Sequence, residues 1–96
     1  MEFQWDESKD STNLQKHGLT FSEAAELFQS NNEYLEIFDA DHSEDEDRFI
    51  AIGPIARGLI VVIYTEPEEG VVRIISAREA TRREHALFRD RMDRNR

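Results

Sequence analysis

Leu59-Ile60-Val61-Val62-Ile63 constrains this chain more than any other stretch. Five successive apolar residues, four of them β-branched, show no alternation. They read as a central strand covered on both faces by helices. The flanks fix how its neighbours run. Ala56-Arg57-Gly58 fits a tight hairpin, and Glu66-Pro67-Glu68-Glu69-Gly70 a longer one. Links this short force antiparallel pairing. The partners are Arg48 to Ile55 before the run and Val71 to Ile75 after it. Tyr34 to Phe38 supplies a fourth strand, separated by the acidic loop Asp39 to Asp47. Pro54 cannot donate to a ladder, so it belongs near the end of its strand, at an edge or bulge.

The N-terminal part carries helix punctuation. Phe3 and Trp5 alternate around Gln4, which suggests a short opening strand. Asp6 can cap a helix running to about His17, where Lys16, His17 and Gly18 form a stop. Leu14 gives this helix little apolar surface, which places it on the outside. Thr20 and Glu23 form a capping box for a second helix, with Leu19 able to staple onto Ala24. Phe21, Ala24, Ala25, Leu27 and Phe28 supply its buried face, and it ends near Ser30-Asn31-Asn32. At the far end, Ser76 and Glu79 have the spacing of another capping box. The last helix is therefore expected from Ala77, fraying within Asp90–Arg96. On it Arg78, Arg82, His85 and Arg89 would share one face. The expected fold is α+β in one domain over 1–96: a possible short strand, two helices, a four-stranded antiparallel meander and a C-terminal helix.

Charge is unevenly spread. The chain of 96 residues has a formal net charge of −9. Residues 1–47 hold 14 acids and 2 bases, whereas residues 48–96 hold 7 acids and 10 bases, including every arginine. A local basic surface is compatible with a negative total. There is no cysteine, which removes disulfide and thiolate chemistry. No apolar run approaches the ~20 residues of a membrane span, and Glu2 and Asp6 do not fit the basic start of a signal peptide.

Three segments together resemble one family. Phe3-Gln-Trp-Asp6, Asn13-Leu-Gln-Lys-His-Gly18 and Thr20-Phe-Ser-Glu-Ala-Ala25 resemble the opening of the BrnT toxins of type II toxin–antitoxin systems. Asp41-His-Ser-Glu-Asp-Glu-Asp-Arg-Phe49, followed by Ile52-Gly53, is similar to the middle motif. Arg73-Ile-Ile-Ser-Ala-Arg78, Ala80 and Arg82-Arg-Glu84 resemble the closing motif. The resemblance implies a RelE-like fold and metal-free, cofactor-free RNA cleavage in the cytoplasm. It also implies inhibition by a cognate antitoxin, commonly with a ribbon-helix-helix DNA-binding part. DNA would then be reached only through that antitoxin, and no membrane is involved. One departure is Phe88, where the family's closing motif carries a tyrosine.

RNA brings its own nucleophile, the ribose 2′-OH. Cleavage then needs a base, an acid for the leaving oxygen, and cations for the phosphate. Arginine suits the last role because its planar fork pairs two oxygens. Arg73, on the strand side shared with Val71 and Ile75, and Arg78 are the first candidates, assisted by Arg82 and Arg48. Histidine can transfer protons near neutral pH, so His17 and His85 are candidates. His17 and Lys16 are equally explained as cations at a helix C-terminus, and His85 as a surface residue. Glu84 is either a base or a residue that orients an arginine. Trp5 could stack a base and Tyr64 donate a proton, though burial explains each. The acidic loop has oxygen ligands at alternate positions but lacks the glycine and helical flanks of a calcium loop, so it reads as a solvated turn. Asp41-His42-Ser43 and Arg48 are expected to form a turn with internal side-chain hydrogen bonds. The rival to a nuclease is an interaction protein that keeps the fold and binds a partner.

Overall fold

A computed structural model describes residues 1–31 and 33–94. The elements in order are β1 (Glu2–Gln4), α1 (Glu7–His17), α2 (Phe21–Gln29), β2 (Leu35–Phe38), a 3-10 turn (Ala40–His42), β3 (Arg48–Ile55), β4 (Gly58–Glu68), β5 (Val71–Glu79) and α3 (Arg82–Arg94). The sheet order is β1-β5-β4-β3-β2. Strands β2 to β5 form the antiparallel meander, and β1 adds a parallel pair with β5. The sheet is therefore mixed, because β1 returns to β5 from the far end of the chain.

Strand β4 is central, and its residues alternate between two cores. Ile60, Val62 and Tyr64 face the cluster with Leu19, Phe21, Ala24 and Leu27 under α2. Val61, Leu59 and Ile63 face the cluster with Leu35, Ile52, Phe88 and Met92 under α3. Each fully buried large side chain contributes roughly 1.5–3 kcal/mol. Both hairpins are tight: Ile55 pairs with Gly58, and Glu68 with Val71, with Gly58 and Gly70 taking the positive φ values of 138° and 82°. The second hairpin is shorter than expected because β4 runs past Pro67 to Glu68. Pro54 pairs with Leu59 but lies beyond Ile52, the last residue of β3 that β2 reaches.

The first two helices follow the expected signals. Asp6 accepts from the Ser8 and Lys9 amides, and Gly18 closes α1 at φ 68°. Thr20 and Glu23 form a reciprocal capping box on α2. That helix ends at Gln29; of the expected turn, Asn32 lies outside the described residues.

The start of the last helix differs. Ser76 and Glu79 do not cap it, since both lie in β5, which pairs with β4 as far as Glu79. The capping box lies five residues later, at Thr81 and Glu84. The Glu84 amide donates to Thr81 Oγ1 at 3.2 Å, and Glu84 Oε1 accepts from the Thr81 amide at 2.9 Å. Two boxes of equal spacing compete in the sequence. The ladder offered by the long strand β4 decides between them. Arg78 is consequently a strand residue and leaves the expected helical stripe, while Arg82, His85 and Arg89 remain on α3. The helix continues through Arg94, within the stretch Asp90–Arg96 expected to fray; residues 95 and 96 lie outside the described residues.

Candidate functional site

Strand β5 carries most of the candidate residues, and an irregularity in it decides where they point. Tyr64 pairs with Ile74 and Ile63 with Ser76, so Ile75 is an extra residue. Such a bulge shifts the alternation by one. Val72 and Ile74 face the α2 core before it, and Ala77 after it. Directly paired residues project to the same face. Arg73 is paired with Thr65, Ser76 with Ile63 and Arg78 with Val61, so all three lie on the α3 side of the sheet. Arg48 is also paired with Thr65. Arg48, Thr65 and Arg73 thus form one row across three strands. Arg73 is exposed and Arg48 half-buried. Between them the Thr65 hydroxyl is buried with no hydrogen-bond partner among the described residues.

Arg78 is held differently. Its two terminal nitrogens donate to the two Glu84 oxygens at 2.6 and 2.8 Å, and one also reaches the Glu79 carbonyl at 3.3 Å. This fork-to-carboxylate pair pulls the Glu84 carboxyl down to about 2, against the opposing effect of partial burial. It also raises the Arg78 pKa. Glu84 therefore joins the end of β5 to the cap of α3.

Helix α1 supplies the remaining cations. Strand β1 pairs with β5 only up to Arg73, and α1 lies along β5 beyond that point. Asn13, only 5% exposed, bridges the two elements. Its amide nitrogen donates to the Leu19 and Ala77 carbonyls, each at 2.8 Å, and its oxygen accepts from the Ala77 amide at 3.1 Å. The side chain thus takes the place of a neighbouring strand. Beside it, Lys9, Lys16 and His17 line a cavity of about 240 Å³ with Ile75 and Ser76.

The other candidates lie apart from this cavity. Arg82 and His85 are exposed on α3, and His85 borders a hollow with Arg57, Leu59 and Glu79. Trp5 packs edge-on against Phe21. Tyr64 is buried and donates to Glu36; burial first, then this carboxylate, raises its pKa. The acidic loop has the expected internal bonds. His42 Nδ1 lies 3.0 Å from Asp39, Ser43 Oγ donates to the Asp39 carbonyl at 2.5 Å, and the Arg48 amide donates to Ser43 Oγ at 2.9 Å. Among the described residues no three His, Asp or Glu side chains converge as a metal donor set.

From the sequence Asn13 has no role beyond the opening motif, Lys9 has none, and Ser76 figures only as a helix cap. The recurrence of Lys9, Asn13 and Lys16 at i, i+4 and i+7 was the available signal. It marks one face of α1, the face that meets β5.

A family model described as the ribonuclease toxin BrnT of type II toxin–antitoxin systems matches residues 5–84. The crystal structure of the Brucella abortus ribonuclease toxin BrnT superposes with a TM-score of 0.62 and 29% identity, covering 85% of this chain and 99% of that one. No curated protein sequence matches.

Proposed function

The chain belongs to the BrnT family of ribonuclease toxins of type II toxin–antitoxin systems, and on that premise we propose that it cleaves RNA without a metal ion, by attack of a ribose 2′-OH on the adjacent phosphate. The attack forms a 2′,3′-cyclic phosphate and releases a 5′-OH. The base removes the 2′ proton, and an acid protonates the departing 5′ oxygen. The observation that carries this reading is the grouping on β5. Arg73, Ser76 and Arg78 share one face, and Ser76 also borders the α1 cavity that holds Lys16 and His17.

Arg73 is exposed, and its fork is the natural clamp for the scissile phosphate, with Arg48 in the same row adding charge. His17, in the cavity that Ser76 also lines, is the proton-transfer candidate on the α1 side, and Lys16 neutralises substrate charge. Arg78 contributes its charge in a fixed orientation set by Glu84. Arg82 and His85 contact RNA from α3. The type II pairing provides an antitoxin partner. We assign that partner the ribbon-helix-helix part, and the cytoplasm as the place of action.

The test is cleavage of single-stranded RNA by the purified protein in EDTA. Arg73→Ala is expected to lower the rate by about 10²–10³-fold with an unchanged circular dichroism spectrum. Folded wild-type protein that cuts no RNA even at ~20 mM salt, where phosphate contacts are strongest, would sink the proposal. A second reading, an inactive toxin-like protein that only binds its antitoxin, is favoured by two observations. Arg78 is occupied by Glu84, and Phe88 lies in the apolar cluster under α3 without a phenol to offer. Tight antitoxin binding without cleavage would establish it.

A further inference from the structure

We propose that the cavity between α1 and β5 is a phosphodiester subsite, which binds a backbone phosphate of the RNA strand next to the one held at Arg73. This rests on the RNA-cleaving reading and extends it to Lys9, which that reading does not use, and to a ligand role for the Ser76 hydroxyl. The cavity of about 240 Å³ is large enough for a phosphate group with its attached sugar edge. Two ammonium groups, Lys9 and Lys16, stand seven residues apart on the face of α1 that Asn13 anchors to Ala77. Ser76 provides a hydroxyl on the opposite wall.

No acid lines the cavity, although the exposed Asp6 carboxylate lies close enough to Lys9 to feel its charge. Asp10 accepts from the Phe21 amide at 2.8 Å, and Asp6 is engaged by Ser8 and Lys9 amides at the helix cap. The cavity therefore presents cations and hydroxyls in the more acidic part of the chain, which a solvated helix face would not require. Nor is the Arg78 fork free to receive a phosphate, since Glu84 fills it. Arg73 and Ser76 are separated by three residues of strand, roughly 10 Å, the reach of one or two nucleotides. A strand clamped at Arg73 and passing along β5 would arrive at the cavity mouth.

The experiment uses two probes on the full chain: inorganic phosphate, and a 2′-O-methyl oligonucleotide that cannot attack its own backbone. Amide chemical shifts of Lys9, Lys16 and Ser76 are expected to move with both. The Lys9→Ala/Lys16→Ala protein is expected to lose the phosphate response and bind the oligonucleotide about tenfold more weakly. Its plot of log affinity against log salt should be shallower by at least ~0.7, the value of one single-strand phosphate. The Lys9→Arg/Lys16→Arg protein should keep the wild-type slope. Both lysines are exposed, so folding is expected to survive, and circular dichroism checks it. Oligonucleotide binding with an unchanged slope in the double alanine protein overturns the subsite while leaving RNA recognition intact. Phosphate-induced shifts in the cavity without oligonucleotide binding by wild-type protein overturn the RNA assignment instead.

Discussion

Glu84 accepts two bonds from Arg78 and one from the Thr81 amide, so one carboxylate holds a strand residue, a helix cap and the joint between them. Its pKa lies at about 2 in the fold, against 4.5 ordinarily. A carboxyl depressed by folding stabilises the protein above its unfolded value, and that contribution disappears as pH falls through the folded value. The stabilisation is thus present above pH 4.5 and lost between there and about pH 2. Glu84→Gln should be less stable than wild type at pH 6, with the gap closing as pH falls toward 2. Urea denaturation across that range measures it. A gap of constant size would show that the pair does not titrate with folding. Because Arg78 also loses its orientation in this variant, cleavage by Glu84→Gln reports on whether a freed fork helps or harms the reaction.

Among the helices, α3 is the least buried. None of its residues is fully buried, and its sheet-facing stripe is Glu84, Phe88 and Met92, at i, i+4 and i+8. Phe88→Ala should cost about 1.5–2.5 kcal/mol, roughly half the value for a fully buried phenylalanine. The loss should appear locally. Hydrogen exchange is expected to accelerate in α3 while β4 amides keep their protection. Equal acceleration in both would mean that helix and sheet open together. The strands were readable because their alternation and hairpin links leave few pairings, and α1 and α2 because their caps are local. The start of α3 was misread because local spacing cannot say which of two boxes a long partner strand will overrule. The bulge at Ile75 was equally hidden, and with it the face on which Ser76 and Arg78 emerge. Of the site, the arginines could be picked from type and motif. The bonds of Asn13 could not, since its partner Ala77 lies 64 positions away.

At the scale of the whole molecule, the charge division in the sequence becomes only partly a division in space. Lys9 and Lys16 belong to the acidic part of the chain, yet they stand beside β5, which comes from the basic part. The loop Asp39 to Asp47 lies at the opposite side of the sheet, between β2 and β3, with Arg48 at its end. Its carboxylates should lower the RNA encounter rate over a range set by the Debye length of about 10 Å at 0.1 M salt. Replacing Glu44, Asp45, Glu46 and Asp47 with their amides should raise the oligonucleotide on-rate several-fold at low salt. The effect should vanish near 0.5 M, and stopped-flow mixing would follow it. An increase that persists at high salt would point to direct contact by the loop.

The bond between Asn13 and Ala77 also bears on how the protein behaves in concentrated solution. A bare strand margin is a template on which a second chain can add its own backbone. Here the three-residue β1 and one asparagine amide close the side of the sheet next to β5, one strand away from the most adhesive run in the sequence, Leu59 to Ile63. Removing that amide exposes hydrogen-bonding groups without exposing any oil. Asn13→Ala should therefore lower the unfolding midpoint, because buried Leu19 and Ala77 backbone groups lose their partner, and should also show a fall in soluble yield and light scattering on gentle heating. A residue that looks like helix polarity would then be one of the reasons the chain stays in solution.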